Sequence, residues 1–263
     1  MKILPKSNTI YKSLLLYRMI RYRKGHGVHS PFVFGLITKV IDVRHQFYCQ
    51  KDIENTRKKA HAINEKILLR KKQSPDKFKE YTIGKIVKKE AITPCRGALL
   101  LRLTNYFKPK TILQIGISSG ISSLYLSSYT SSLNFTVLEK SPEMALVAER
   151  VFEEHNRQKI DIKVADYKDS LSTILKDGLL LDFVFINIAN DVAENEYVFN
   201  QIVNHLHDSS VVVINGIKSS AEMRRFWKEV IKRQDITVTV DLYSMGLIFF
   251  KKKLHKRNYI VSF

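Results

Sequence analysis

A turn rich in glycine and serine follows an apolar run within residues 111–127, which read TILQIGISSGISSLYLS. The run Thr111–Ile115 predicts a buried strand, and the apolar spacing over 119–129 predicts a helix. Between them, Gly116 and Gly120 can adopt backbone angles closed to other residues and leave room for a ligand beside the main chain. The helix that follows offers free N–H groups to a carboxylate or a phosphate. The pattern therefore indicates a ligand-binding turn, called the glycine turn below (residues 116–120).

Two familiar nucleotide motifs do not fit the glycine turn. The dinucleotide fingerprint needs a third glycine in the order GxGxxG, whereas Ser118 and Ile121 occupy the decisive positions. A phosphate-binding loop needs Gly-Lys followed by Ser or Thr, and this turn does not contain that sequence. A nicotinamide or flavin site is therefore disfavoured. A structural alternative stays open, in which Gly116 and Gly120 only allow a strand and a helix to pack closely.

Acidic residues end the next two predicted strands. Glu139 follows the run Phe135–Leu138, about twenty residues after the glycine turn, where a carboxylate can accept both hydroxyl groups of a ribose. Asp166 follows the run Ile160–Ala165, from where a side chain can reach an adenine amino group. Ligands of open α/β sheets bind outside the carboxyl ends of the strands. The glycine turn and Glu139 together predict a ligand that carries a ribose.

Strand and helix patterns alternate along the last two thirds of the chain. The apolar runs of strand length are Thr111–Ile115, Phe135–Leu138, Ile160–Ala165, Leu181–Ile188, Val211–Ile214, Ile236–Leu242 and Gly246–Phe250. The helical patterns between them are 119–129, Pro142–Asn156, Ser170–Lys176, Asp191–His207 and Ser219–Gln234. Such alternation predicts a doubly wound α/β fold with a mostly parallel sheet. Only Tyr243–Met245 separates the last two runs, so they are predicted to pair as an antiparallel hairpin.

The front third of the chain predicts a basic helical arm, residues 1–92, ahead of a Rossmann-like domain, residues 93–263. Its predicted helices are an amphipathic helix at Ile10–Arg23, a helix that begins at Ser30-Pro31, a charged helix at Lys51–Lys72 and a helix at Thr93–Tyr106. Ser74-Pro75 is expected to end the charged helix. We expect this arm to pack on, or beside, the sheet domain.

The net charge of +19 is concentrated in the front third of the chain. Residues 1–110 hold 26 Lys and Arg against 7 Asp and Glu, whereas residues 111–263 hold 18 of each. The basic part is expected to be a solvated or core-packing face, a nucleic-acid surface or, at Ile10–Lys24, a membrane-surface helix. Two cysteines fit neither a disulfide framework nor a zinc site, and no apolar run is long enough to span a membrane. We expect a cytoplasmic protein.

Several segments resemble those of the class I S-adenosylmethionine-dependent methyltransferases. They are LQIGISSGISSLYLS, TVLEK, VADY and LDFVFIN, followed by the antiparallel end pair. HGVHSPFVFGLI, LRLTNYFKPKTIL, SSAEMRRFWKEV and DLYSMGLIFFKK are similar to a bacterial O-methyltransferase-like branch with the same helical N-terminal arm. The resemblance extends from about Tyr22 to Lys252. It implies a Rossmann-like methyltransferase sheet, methyl transfer as the activity and S-adenosylmethionine as the cofactor.

The resemblance also implies which residues hold that cofactor. They lie at the ends of the first four strands and are Gln114, Gly116, Ser118, Gly120, Glu139, Asp166 and Asn187. By this resemblance the glycine turn lines the methionine part, Glu139 the ribose and Asp166 the adenine. Gln114 stands where the family usually has an acidic residue that serves the cofactor's ammonium group. An amide oxygen accepts the same hydrogen bond, but charge-assisted bonds are roughly twice as strong.

Two departures from the family's pattern bear on metal binding. The fourth strand commonly ends in Asp and the fifth in Asp-Asp or Asp-Asn, and in the catechol-type relatives these acids hold a divalent cation. Here the corresponding residues are Asn187 and Asn215-Gly216. Magnesium prefers hard, usually anionic oxygen ligands, so we predict no metal.

The sequence leaves the catalytic group and the acceptor open. His26, His29 and Asn187 are candidates for the catalytic group, although histidines around a Gly-Pro turn are more often capping or structural groups. We expect a small-molecule acceptor, with nucleic acid as the alternative partner of the basic residues 1–110. The competing hypothesis is a protein that kept the fold, lost catalysis and acts as a basic binding module.

Overall fold

The computed structural model describes residues 17, 21, 27–43, 46–71, 74–155, 160–176, 178–188 and 191–263. The chain divides into two compact units. The first unit is formed by residues 45–174, and the second unit by the residues up to 44 together with 175–263. Within the described residues, no helix is long and apolar enough to cross a membrane.

Helices and strands alternate through most of the described chain. The helices are α1 (Pro31–Leu36), α2 (Tyr48–Ala60), α3 (Ile83–Glu90), α4 (Pro94–Phe107), α5 (Ile121–Ser127), α6 (Pro142–Glu154), α7 (Tyr167–Ile174), α8 (Val192–Ile202) and α9 (Ala221–Val230). The strands are β1 (Lys66–Lys71), β2 (Ser74–Thr82), β3 (Thr111–Ile115), β4 (Asn134–Glu139), β5 (Asp161–Val164), β6 (Leu181–Ile186), β7 (Leu206–Asn215), β8 (Val238–Asp241), β9 (Met245–Phe249) and β10 (Arg257–Ile260). The seven strands and the helices predicted after residue 110 are therefore confirmed.

The first unit contains three parallel strands, in which β4 lies between β3 and β5. Leu113 of β3 pairs with Thr136 of β4, and Val137 of β4 pairs with Ile162 of β5. The apolar side chains of β3 and β4 are buried, which explains why these strands read as continuous apolar runs rather than as alternating ones.

Helix α2 is joined to α5 by a hydrogen bond from Tyr125 to a carboxylate that also forms an ion pair within α2. Tyr125 is buried, and its hydroxyl donates to Glu54 Oε1 at 2.7 Å. Arg57 donates to the same carboxylate through Nε and Nη2 at 2.9–3.1 Å. Burial and the Glu54 hydrogen bond raise the pKa of the Tyr125 hydroxyl well above its usual range, so Tyr125 stays protonated and remains a donor.

The chain after α2 corrects the prediction of a charged helix at Lys51–Lys72. The helix ends at Ala60, and residues 66–82 form an antiparallel hairpin of β1 and β2, in which Leu69 pairs with Lys79. Exposure alternates along β1: Leu68 is exposed, whereas Ile67 and Leu69 are half-buried. This period of two is that of a strand, and pairing with β2 outweighs the helical propensity of the lysine-rich sequence.

The second unit contains five strands in the order β10, β8, β9, β7, β6. β9 runs antiparallel to both of its neighbours, β7 and β8, which confirms the predicted hairpin. β6 and β7 are parallel, and so are β8 and β10. The sequence did not predict β10, because it is only four residues long and follows the basic segment 251–256.

Helix α1 of the second unit begins as predicted. Ser30 accepts a hydrogen bond from the Val33 amide, and Pro31 occupies the first turn. Phe32 contacts Phe249 edge to face, with the ring centroids 5.1 Å apart. The predicted helix at Ile10–Arg23 lies outside the described residues except for residues 17 and 21.

Tyr125→Phe tests the link between α2 and α5. The change removes one donor from a carboxylate that keeps its Arg57 partner, so we expect the free energy of unfolding to fall by about 1–2 kcal/mol. Tyr106→Phe is the matched control, because Tyr106 is 41% exposed and a surface substitution should change stability little. Urea titration measures both variants. Equal stabilities of the two variants would contradict this role of Tyr125.

Candidate functional site

The glycine turn connects β3 to α5 with three residues in the left-handed region. Gly116 has φ 83°, Ser118 has φ 57° and Gly120 has φ 79°. A side chain at Gly120 would also meet α6, because an added Cβ would lie 2.9 Å from Phe152 Cε1 and 3.0 Å from Ala148 Cβ. Gly120 is therefore required by its backbone angle and by its close packing against α6.

Glu139 at the end of β4 holds the glycine turn through the main chain. Its side chain is buried, with 7% exposure. Oε2 accepts from the Ile117 amide at 2.8 Å, and Oε1 accepts from the Ser141 amide at 2.8 Å. Both oxygens of the buried carboxylate therefore bind backbone amides, one in the glycine turn and one directly before α6.

Two serines of the glycine turn have different environments. The Ser118 hydroxyl donates to the Glu90 carbonyl at 2.7 Å, which ties the turn to the last residue of α3. Ser119 is 1% exposed, and its hydroxyl has no hydrogen-bond partner within the described structure. A buried hydroxyl without a partner is costly, so Ser119 fits a polar ligand group at this turn. Ser119 was not predicted from the sequence, because Ser118 and Ser119 are the same residue type and only the folded chain shows the direction of each side chain.

Gln114 faces the interior rather than the space outside the strand end. Its side chain is fully buried; Nε2 donates to the Gly116 carbonyl at 2.9 Å and to Ser122 Oγ at 3.1 Å. Its Oε1 accepts from Ser123 Oγ at 2.9 Å. All three bonds are to residues of the glycine turn or of α5. The neutral amide therefore fixes the turn, a role that needs both a donor and an acceptor.

Asp166 lies directly before α7 and is half-buried. Oδ1 accepts from the Lys168 amide at 2.9 Å, and Oδ2 lies 3.2 Å from Lys140 Nζ. The backbone hydrogen bond first, and the Lys140 ammonium second, hold the pKa of Asp166 below its usual range. Gln114, Glu139 and Asp166 thus all lie at the carboxyl ends of β3, β4 and β5, within the first unit.

In the second unit, the ends of β6 and β7 carry a pair of amides. Asn215 Nδ2 donates to Asn187 Oδ1 at 2.8 Å, so Asn187 already uses that oxygen. Asn215 Oδ1 is buried and has no hydrogen-bond partner among the residues that the structure describes. Among the described residues, no group of three or more His, Cys, Asp or Glu side chains has an arrangement that could hold a metal ion. Two neutral amides that bind one another do not form the anionic oxygen set that Mg²⁺ prefers.

An ion pair between Lys218 and Asp241 lies beyond β7. Lys218 Nζ is 2.7 Å from Asp241 Oδ2, and the Tyr243 ring lies 5.2 Å from the same ammonium. Tyr243 has φ 70°, and its amide donates to Asp241 Oδ1 at 2.7 Å. This pairing was not predictable from the sequence, because Lys218 and Asp241 are far apart along the chain. His29 is exposed directly before α1, and His26 lies outside the described residues.

A family comparison identifies the class of protein that this fold and site define. The family model of the O-methyltransferases matches residues 66–242. The chain belongs to the O-methyltransferase family, and the relationship predicted from its sequence is confirmed. No curated protein matches the chain at a significant level.

Solved structures share the fold at low sequence identity. A methyltransferase from Podospora anserina, bound to S-adenosylhomocysteine, is 14% identical, covers 96% of this chain and 100% of its own, and has a TM-score of 0.58. The O-methyltransferase TomG from Streptomyces achromogenes, in complex with S-adenosylmethionine and involved in tomaymycin synthesis, is 19% identical over 81% and 94% of the two chains, with a TM-score of 0.54. An O-methyltransferase from Bacillus cereus in complex with S-adenosylhomocysteine is 16% identical over 83% and 97%, also at 0.54. The predicted Rossmann-like methyltransferase fold is confirmed.

Glu139→Gln tests how the carboxylate holds the glycine turn. The amide of Gln places an N–H₂ group against one of two backbone donors, so we expect a loss of about 2 kcal/mol in the free energy of unfolding. Hydrogen exchange at the Ile117 amide should accelerate more than exchange in α7. Glu149→Gln is the control, because Glu149 is exposed and undergoes the same change of charge. Unchanged protection at Ile117 would contradict the role of Glu139.

Asp166→Asn tests the charge at the start of α7. The pKa of Asp166 is lowered in the folded state, so its charge stabilises the fold above the ordinary pKa of about 4, and this contribution is lost as the pH falls through the folded-state value. Wild type should therefore exceed the variant in stability at neutral pH, and the difference should shrink as the pH falls below about 4. Asp169→Asn, in the first turn of α7, makes the same substitution and is the control; it should change the stability at neutral pH less. A difference that grows on acidification would contradict the assignment.

Proposed function

We propose that the protein is an S-adenosylmethionine-dependent methyltransferase that transfers a methyl group to an oxygen of a small-molecule acceptor without a metal ion. The observation that carries the proposal is the buried Glu139 carboxylate, which ends β4 and binds the main chain of the glycine turn. Family membership supports the reaction class. The proposal extends to this chain the cofactor that the solved relatives bind.

The proposed cofactor fits the chemistry of the turn. Glu139 would accept the ribose hydroxyl groups, and the unpartnered Ser119 hydroxyl would bind a polar group of the methionine part. Gly116 would line the same part, and Asp166 remains the proposed contact of the adenine. Gln114 and Ser118 would act as positioning residues, because their side chains hold the turn in its left-handed conformation.

When bound, S-adenosylmethionine supplies an electrophilic methyl group on a sulfonium. The contribution of the protein is then alignment: holding a nucleophilic oxygen behind that methyl group supplies several kcal/mol without acid–base or metal assistance. Asn187 stays a prediction as a cofactor contact or as the catalytic group, and neither it nor Asn215 supplies the anionic oxygen that a cation prefers. His26 and His29 stay predictions for the group that takes the proton from the acceptor.

The domain division predicted from the sequence also stays a proposal. Residues 1–92 would form an arm, and residues 93–263 would form the cofactor-binding domain.

The second candidate function is a basic binding module that has lost catalysis. The side chain of Gln114 favours this second candidate, because it hydrogen-bonds to the glycine turn and to α5 at a position where the family usually has an acidic residue.

Calorimetric titration with S-adenosylhomocysteine separates the two candidates. A methyltransferase should bind one molecule per chain with micromolar affinity, and Ser119→Ala should weaken binding several-fold because it removes a buried hydrogen bond to the ligand. Ser132→Ala, at an exposed serine, is the control. If no heat of binding is measured at millimolar S-adenosylhomocysteine, the result would contradict the methyltransferase proposal and favour the binding module.

A magnesium titration tests the metal-independent mechanism. Thermal unfolding of the wild-type protein should be unchanged by millimolar MgCl₂, because neutral amides bind this ion poorly. The double variant Asn187→Asp, Asn215→Asp places two carboxylates where the amide hydrogen bond spans 2.8 Å, so it should melt lower and regain stability with Mg²⁺. A magnesium-dependent rise in the melting temperature of the wild-type protein would contradict the proposal.

A further inference from the structure

The hairpin of β1 and β2 has one face on which five of six side chains are exposed. Six side chains alternate onto it from the two strands and are called the ribbon face below: Lys66, Leu68, Arg70, Phe78, Glu80 and Thr82. Leu68 is 56% exposed and Phe78 is 49% exposed. Large apolar side chains in such positions have a cost in water, so an exposed pair on one face marks a candidate contact surface.

The base of the hairpin is fixed to the first unit. Arg150 of α6 donates from Nε to Glu65 Oε2 at 3.0 Å, directly before β1. Gly84, in the first turn of α3 after β2, packs so closely that an added Cβ would lie 2.3 Å from the His61 carbonyl oxygen. Its amide donates to the Ile63 carbonyl at 3.0 Å. These contacts fix the direction in which the ribbon face points.

Cationic side chains lie next to the exposed apolar ones. The Arg70 guanidinium lies 5.6 Å from the centre of the Phe78 ring, and Lys66 pairs with Glu80 at 2.8 Å. Lys66 therefore neutralises the charge of Glu80, and the positive charge of Arg70 remains beside the Phe78 ring. Residues 66–82 hold six Lys and Arg against two Asp and Glu. The hairpin thus adds to the basic excess of residues 1–110.

We propose that the ribbon face binds single-stranded nucleic acid, with Phe78 stacking on a base and Arg70 contacting phosphate. Aromatic side chains combined with a cationic surface are the physical requirements for binding single strands without sequence preference. An anionic membrane is a poorer fit, because only Leu68 and Phe78 are apolar and the acidic Glu80 lies opposite Leu68 and next to Phe78 on the same face. This inference is independent of the proposed methyl transfer, since none of these residues belongs to the glycine turn.

Fluorescence anisotropy with a labelled uridine dodecamer tests the inference on the full chain. Binding should weaken about 20-fold between 50 and 200 mM KCl, the slope for roughly three neutralised phosphates on a single strand. Phe78→Ala should weaken binding at least fivefold with the same salt slope, because it removes stacking. Arg70→Gln should weaken binding and reduce the salt slope by about one phosphate.

Two matched controls isolate the ribbon face. Phe34→Ala changes an aromatic residue that is 48% exposed in α1, and Arg225→Gln changes an exposed arginine of α9. Both should leave the affinity for the dodecamer within twofold of the wild type, and circular dichroism should be the same for all variants. Equal losses in Phe78→Ala and Phe34→Ala would overturn the proposal, as would the absence of binding at 50 mM KCl.

Vesicles containing phosphatidylserine distinguish the membrane alternative. We expect Phe78→Ala to leave co-sedimentation with such vesicles unchanged. Loss of vesicle binding in Phe78→Ala, with retained binding of the dodecamer, would overturn the nucleic-acid assignment. The outcome does not depend on S-adenosylhomocysteine, whose binding is measured separately, so failure of the ribbon proposal is distinguishable from failure of the methyltransferase proposal.

Discussion

The candidate site depends on one buried carboxylate that accepts two backbone N–H groups. Glu139 bonds to Ile117 in the glycine turn and to Ser141 at the start of α6, so one side chain joins three elements of the first unit. A buried carboxylate is stable only if it is well hydrogen-bonded, and charge-assisted bonds to backbone amides are strong. The position of the turn and the charge at the end of β4 are therefore set together.

The interior side of the turn is held by a second, neutral network. Gln114 bonds to the Gly116 carbonyl and to two serine hydroxyls of α5. A carboxylate at position 114 could accept hydrogen bonds but could not donate to the Gly116 carbonyl. The amide at this position therefore stabilises the turn from inside, while Glu139 stabilises it from the direction of β4. The left-handed residues of the turn persist because both networks fix them.

The main features of the fold could be predicted from the sequence because they depend on local patterns. Buried parallel strands give continuous apolar runs, and the short segment 243–245 leaves no room for a crossover helix, so the sheet strands and the reversed strand β9 were predictable. The β1–β2 hairpin was not, since its lysine-rich sequence reads equally well as a helix and only cross-strand pairing decides. β10 was missed because a four-residue strand has too few positions to show a period.

The sequence indicates where the candidate site lies but not how its side chains are arranged. The two glycines and Glu139 follow β3 and β4 at their carboxyl ends, the edge at which open α/β sheets generally bind ligands. The directions of Gln114, Ser118 and Ser119 depend on hydrogen bonds with residues that spacing does not reveal. Lys218 and Asp241 form an ion pair although they are far apart in the sequence, and no sequence motif links them. The replacement of acids by Asn187 and Asn215 was readable from the sequence, whereas the hydrogen bond between them required the structure.

The most direct test of the account measures the coupling between Glu139 and the ribose hydroxyl groups. The affinities of S-adenosylhomocysteine and of its 2′,3′-dideoxy analogue are compared for the wild-type protein and for Glu139→Ala, as a double-mutant cycle. If Glu139 binds the ribose, removing the hydroxyls should weaken binding at least tenfold in the wild-type protein and by less than threefold in the variant. An equal loss in both proteins would show that the carboxylate does not contact the ribose, and would contradict the account.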